Sequence, residues 1–481
     1  MIFSSLDFII RFLPIFLIAY LLVPAKAKYA VSIRNLILLM GSLFFYAFGE
    51  PRYVFLMLAS IVANYGFTIY FDLYIGQEAK RRAAFIVSLI FNIGILGFFK
   101  YAGFFAGNIN RVLYHIGHLL GVSLPHIPVI SLTLPVGISF YTFQIMSYVI
   151  DVYRGKYERE ENILSLGTYI TMFPQLIAGP IVKYDKVRDR LKDRSISPVS
   201  FDRGVRTFVI GLGAKVIIAN QIGSIWTDIQ RVGYESISTI YAWLGALAYS
   251  FQIYYDFLGY SLMAMGLGLM LGFRFPKNFD NPYLSTSATE FWQRWHITLG
   301  AWFREYVYIP LGGNRVGKGR MIFNLLVVWA LTGLWHGAEW NFVLWGIGYF
   351  VLITIEKLFL KKLLDKYRII GHLYMVAVIL CSWIVFAIPD LGRLLIYISR
   401  MFPFIRGSYV SNVNPRDFIS CLRTYYYVFF IAFVCLIPFK RLKRLLMSRK
   451  IVGTLVVFAI FVVCMYLLCM GLNNPFLYFR F

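Results

Sequence analysis

The chain has 481 residues, of which 59% are hydrophobic and only 15% charged, with a mean hydropathy of +0.68. A soluble domain is about half apolar and about a quarter charged, so these values exclude an ordinary water-soluble globule and point to a bilayer. The net charge of +24 would suggest nucleic acid in a soluble chain, but here the bases flank apolar runs, as cytoplasmic loops of membrane proteins do.

Several apolar runs reach about 20 residues, the length a helix needs to span the hydrocarbon layer. They lack the alternation of barrel strands, so the fold class read from them is an all-α polytopic membrane protein with about eleven spanning helices. The first run, 8–24, has no basic segment before it and reads as a retained helix rather than a signal peptide. Lys26, Lys28 and Arg34 follow it, which places the N-terminus outside. Residues 33–49 go out, 52–72 return to Lys80, Arg81 and Arg82, and 83–102 go out again. Residues 105–130 read as an external amphipathic stretch and loop, and 131–151 return.

Residues 163–182 are apolar, yet basic residues lie on both sides, which a simple span forbids. The segment contains Pro174, Gly179 and Pro180, and its pattern predicts a re-entrant element. Residues 205–226 go out and 237–270 return. Residues 273–320 carry too many charges to span and read as interfacial helix. Residues 321–357 read as a hairpin or broken pair turning at WHGAEWN, with His336 about 24 Å along a straight helix from Arg320. Residues 371–389 go out, 391–422 form an external amphipathic layer, 424–439 return to the basic cluster 440–450, and 451–472 go out. The C-terminus is thus external as well. The whole of 1–481 reads as a single membrane domain.

Two histidines stand out. An ionisable residue at membrane depth is costly, which makes His336 a functional candidate, and Glu339 and Trp340 would share its face on a continuous helix. His296, in FWQRWHITL, fits an interfacial helix as readily as a site. His115, His118, His126 and His372 sit in loops or interfaces, and the spacing of the first two lacks a third ligand. The five cysteines have no metal-ligand spacing, and no metal is expected. LGGNRVGKGR at 311–320 is basic and glycine-rich but lacks phosphate-loop spacing. On these residues alone, an acyl-transfer enzyme and a transporter or flippase of a lipid-linked glycan are both open. The lack of repeated halves weighs against the second.

WQRWHITL, YVYIPLGGNR and LWHGAEWNF resemble the membrane-bound O-acyltransferase (MBOAT) family, and within it the membrane subunits of bacterial alginate O-acetylation. LPVGISFYTFQIMSYVIDVYRG at 134–155, FPQLIAGPIVKY at 173–184, FRFPKNFDNPYLS at 273–285 and the ending NPFLYFRF fit the same group. One departure is DFLGYSL at 256–262, where Leu258 and Leu262 stand at positions that would be polar in the family. The resemblance implies helices around a central tunnel and acetyl-CoA as a cytosolic acyl donor. It implies His336 as general base on an acceptor hydroxyl and His296 in the cytoplasmic part of the site. It also implies an SGNH-type periplasmic or extracellular partner that passes the acetyl group to a polysaccharide, in the inner membrane of a bacterium. The tail is similar to the terminal aromatic motif of a small partner protein in teichoic-acid D-alanylation. By that likeness Tyr478 becomes a transient acyl carrier, while an aromatic chain end can equally anchor at the membrane surface.

Overall fold

The computed structural model describes residues 1–24, 26–129, 133–405, 413–438, 450–471 and 477. The basic cluster at 440–450 falls, except for Lys450, outside these residues, as does Tyr478. Among the described residues the regular structure is entirely helical. Eight helical stretches are long and apolar enough to cross a bilayer: Ala30–Ala47, Tyr53–Leu73, Glu78–Leu120, Pro198–Val232, Trp340–Lys366, Arg368–Ala387, Asp417–Leu436 and Ile451–Cys469. The apolar runs had counted about eleven. Among the remaining runs, the helix Ile138–Tyr153 has only 16 residues, whereas Thr239–Met270 is one continuous helix of 32 residues that is not among the eight.

The chain forms two compact units. The first comprises Met1, Ile15–Ser195 and Gly337–Glu339. Its main helices are α1 (Ala30–Ala47), α2 (Tyr53–Leu73), α3 (Glu78–Leu120), α4 (Ile138–Tyr153), α5 (Ile163–Thr171) and α6 (Phe173–Leu176). The stretch 83–130, read as a span plus an external segment, instead begins with one continuous helix of 43 residues, α3. Its glycines do not stop it; the helix ends at Gly121, whose left-handed φ of +66° supplies a C-terminal cap. The run 163–182 is broken as its prolines and glycine foretold. α5 and α6 hold nine and four residues, too few to cross a bilayer, and Gly179 follows with φ +110°. A Cβ at Gly137, where φ is +78°, would lie 2.6 Å from the Leu176 carbonyl oxygen, so the LPVG and FPQL segments meet backbone to backbone. α4 is buried from Ile138 to Val152, and two of its polar side chains are satisfied locally: the Tyr148 hydroxyl accepts the Glu160 N–H at 2.8 Å, and Asp151 Oδ2 pairs with Lys156 at 3.0 Å.

The second unit comprises Ile2–Pro14, Ile196–His336 and Trp340–Phe481. Its helices are α7 (Pro198–Gly213), α8 (Asn220–Val232), α9 (Thr239–Met270), α10 (Ala288–Arg294), α11 (Ile297–Phe303), α12 (Lys318–His336), α13 (Trp340–Ile355), α14 (Arg368–Ala387), α15 (Leu391–Met401), α16 (Asp417–Leu436) and α17 (Lys450–Cys469). A wide π-type turn, Ala214–Ala219, joins α7 to α8. Lipid tails are as apolar as leucine, so helices here associate through close packing rather than escape from water. α7 and α9 show how. Gly204 and Gly211 on α7 face Gly266 and Gly259 on α9, and a Cβ at any of the four would lie 2.6–2.7 Å from a carbonyl oxygen across the seam. The α12–α13 hairpin uses the same device. A Cβ at Gly333 or Gly346 would lie 2.5 Å from the carbonyl oxygen of Phe342 or Trp329. Around these contacts the core is aromatic, with Trp295, Trp329, Trp345, Trp383, Phe291 and Tyr349 all buried.

Candidate active site

His296 sits between α10 and α11, and the local sequence builds its position stepwise. Ser287 caps α10 by accepting the Glu290 N–H at 3.1 Å, and the Glu290 carboxylate reaches back to the Thr286 N–H and hydroxyl at 2.8 and 2.9 Å. Burial pushes the Glu290 pKa up, but these Thr286 donors and Arg294, at 2.5 Å, outweigh it and hold the carboxyl below its usual range. A second carboxylate seals the same helix end: buried Glu356 accepts the Ala288 N–H at 2.6 Å, the Thr289 N–H at 2.8 Å, the Thr289 hydroxyl at 2.7 Å and the Tyr374 hydroxyl at 3.1 Å. The negative charge lies where the helix dipole favours it.

After α10 the chain turns sharply. Trp295 is extended and His296 takes φ +44°, a left-handed conformation that a side-chain-bearing residue adopts only under constraint. The constraint is the segment 278–280 alongside. The Ile297 N–H donates to the Asn278 carbonyl at 3.0 Å, and the Asp280 N–H donates to the Arg294 carbonyl at 2.9 Å. These two bonds set the Asn278 side chain against the imidazole.

Asn278 Oδ1 lies 3.1 Å from His296 Nδ1 and also accepts the Thr298 hydroxyl at 2.9 Å, while Asn278 Nδ2 donates to Ser261 Oγ at 3.2 Å. With the amide oriented by Thr298 and Ser261, its oxygen is an acceptor, so Nδ1 carries the proton and the lone pair sits on Nε2. Nε2 is buried and meets no hydrogen-bond partner among the described residues. Burial pushes the His296 pKa down to about 3, so the ring is neutral at physiological pH. A neutral imidazole with a fixed tautomer and an open basic nitrogen can accept a proton from a hydroxyl or thiol brought to it.

His336 is the last residue of α12. The helix stops there, so Glu339 and Trp340 are not a turn above it on one helix, and the WHGAEW turn read from the sequence is the break between α12 and α13. The His336 ring is buried in an aromatic cage. Trp335 and Trp345 lie 5.0 Å away and Phe386 5.1 Å away, all close to edge-on. Trp335 is shared: its ring is also 5.8 Å from that of His296, whose other face meets Phe257 at 4.8 Å. The two histidines singled out from the sequence thus flank one tryptophan in the second unit. Tyr478 lies outside the described residues, but its neighbour Leu477 is buried in the core of the same unit.

Sequence reading missed Asn278 and Glu356. Asn278 in FPKNFDN reads as a turn residue, and only the three-dimensional pairing with 294–298 reveals its role. Glu356 reads as the edge of a basic helix end, and nothing in its neighbourhood announces that it caps a helix 68 residues earlier.

Residues 162–395 match the description of the membrane-bound O-acyltransferase family. The chain is 37% identical over 426 residues to the probable alginate O-acetylase AlgI of Azotobacter vinelandii, covering 87% of this chain and 81% of that protein. It is 36% identical over 387 residues to the peptidoglycan O-acetyltransferase of Helicobacter pylori, covering 74% and 70%. It is 28% identical over 257 residues to the teichoic acid D-alanyltransferase of Bacillus subtilis, covering 51% and 64%. The all-helical fold with its apolar spans, the two-histidine site and these likenesses converge: the chain belongs to the membrane-bound O-acyltransferase family and is a multi-pass membrane acyltransferase.

Proposed function

We propose that residues 1–481 act as one membrane enzyme of the bacterial inner membrane that passes an acetyl group from cytosolic acetyl-CoA to an extracytoplasmic polysaccharide. Both chain ends face outward in this reading. The observation that carries it is the pair of buried histidines set about Trp335, one of them, His296, neutral and with its tautomer fixed by Asn278. Acyl transfer from a thioester needs a proton acceptor, a positioned hydroxyl and a site that excludes water. The relatives named for alginate and peptidoglycan O-acetylation support a polysaccharide as final acceptor.

In the first step His336 takes the proton of the acceptor hydroxyl as its oxygen attacks the thioester carbonyl. The carbon–sulfur bond breaks, the new ester forms, and the coenzyme A thiolate takes a proton. His296 holds the cytoplasmic part of the site, where its Nε2 faces the donor. The first acceptor is the Tyr478 phenol, whose aryl ester is a better leaving group than an alkyl ester. An SGNH-type partner on the outer face then takes the acetyl group: its serine attacks the phenyl ester, the phenol is released and reprotonated, and the acyl-serine delivers to a glycan hydroxyl.

The test is acetyl transfer in proteoliposomes loaded with labelled acetyl-CoA on the cytoplasmic side, with the partner and glycan outside. New glycan ester is expected, and Tyr478→Phe should block it while the protein still inserts. A protein that moves an intact glycan and forms no ester would overturn the reading.

A further inference from the structure

Lys215 and Asp256 form an ion pair of 2.7 Å whose side chains are 2% and 3% exposed. A buried pair is a poor way to gain stability, because desolvation offsets most of the attraction. Its position is built with care. Lys215 lies in the π-type turn after α7, a local widening that often marks functional positions. Asp256 lies on α9, and the glycine seam between the two helices ends beside them. A Cβ at Gly259 would lie 3.0 Å from the Lys215 nitrogen and 3.1 Å from its Cβ. The pair can therefore close only because the seam carries no side chains at that point.

Lys215 reaches Asp256 Oδ1. The other carboxylate oxygen, Oδ2, accepts the backbone N–H of Leu477 at 2.9 Å. Leu477 is 4% exposed and packs in the core of the second unit. A buried N–H without a partner is costly, and Asp256 supplies this one. The carboxylate thus makes one charged contact that fixes it and one hydrogen bond that holds the chain end.

We infer that the Lys215–Asp256 pair is a seat for the C-terminal tail, with Asp256 as a positioning residue that acts through the Leu477 backbone. The seat fixes the backbone at Leu477 inside the second unit, and transfer depends on it. This dependence rests on the acyl-transfer reading above; the seat itself does not. Asp256 is the first residue of DFLGYSL, the segment in which Leu258 and Leu262 depart from the polar residues of the family pattern. The aspartate that seats the tail lies outside those departures.

The experiment uses the full chain with its native cysteines replaced by serine or alanine and Leu477→Cys introduced, which keeps the backbone N–H. A water-soluble maleimide is added to the detergent-solubilised protein. Slow labelling is expected with the pair intact. Lys215→Met with Asp256→Leu removes both charges without stranding either, so the protein stays folded, and labelling should rise at least about tenfold by the loss of one buried charge-assisted bond. Asp256→Asn serves as a shape-preserving second variant and should also label faster. Equal labelling in all three, with monodisperse protein, overturns the seat. In proteoliposomes, Lys215→Met/Asp256→Leu and, separately, Leu477→Pro, which removes the donated N–H along with the buried side chain and fixes φ, should both lower kcat with KM for the acyl donor unchanged. An unchanged kcat, or a loss confined to KM, overturns the positioning role. Should the parent itself form no ester, the acyl-transfer reading fails and the labelling ratio still decides the seat.

Discussion

The substitution Asn278→Asp probes the histidine site without removing its geometry. The introduced carboxylate would keep an acceptor for the Nδ1 proton, where the amide oxygen of the parent lies 3.1 Å away, and Ser261 can turn its hydroxyl to donate. What changes is charge. In the parent, burial holds the His296 pKa at about 3, so the ring stays neutral through the whole working range. A carboxylate at this distance favours the imidazolium and raises a histidine pKa by about 1 to 3 units, to about 4–6. Activity that needs the neutral ring is then lost as pH falls through the raised value. With a pKa of about 6, roughly a quarter of the rings are neutral at about pH 5.5, against nearly all in the parent. The assay is labelled acetyl transfer in proteoliposomes from about pH 4 to 8, plotted as the ratio of variant to parent so that the donor's own pH dependence cancels. A new acid limb in that ratio is the expected result. A ratio flat across the range, whatever its level, would refute the claim that a neutral His296 held by Asn278 takes part in the reaction.

Three further outcomes follow from the same contacts. His336→Ala should abolish glycan O-acetylation while the protein remains folded and inserted, and near-parental ester formation would remove His336 from the mechanism. Gly259→Ala should destabilise by about 1–3 kcal/mol, because its Cβ would meet the Gly211 carbonyl at 2.7 Å, whereas Gly348→Ala, with open space around it, should be near neutral; thermal unfolding in detergent compares them. Glu356→Ala should cost roughly 3 kcal/mol by stranding the Ala288 and Thr289 N–H groups at the buried start of α10, and Glu356→Gln should recover part of it in the same measurement.

Much of this architecture could be read from the chain. Apolar runs bounded by bases foretold α1 and α2, the long return at 237–270 matches α9, and the WHGAEW turn falls at the break between α12 and α13. Pro174, Gly179 and Pro180 announced the broken segment at 163–182 because proline removes a donor and glycine permits a positive φ. The reading of 83–102 as a span followed by an external stretch missed the continuity: glycine is tolerated within membrane helices, and α3 runs through Gly94, Gly97 and Gly107. At the site, the histidines were visible because an imidazole in apolar sequence is unusual. Their partners were not: Asn278, Glu356 and the Lys215–Asp256 pair act across 18 to 68 residues of sequence, and no local pattern encodes such a separation.

The glycine seams of the second unit also decide which parts of it can move. Interlocked side chains give way by changing rotamer, so helices packed through them slide by small steps. A carbonyl oxygen resting on a bare α-carbon has no rotamer to change. α7 with α9, and α12 with α13, are each joined in this way and behave as stiff struts. Any rearrangement that admits a donor or releases a product must carry each pair as one piece. Bending would fall instead on the linkers, among them residues 271–287 between α9 and α10, which contain Asn278. Turnover in this unit would then be geared through the hydrogen bond that sets the imidazole tautomer, coupling motion of the scaffold to the availability of its base.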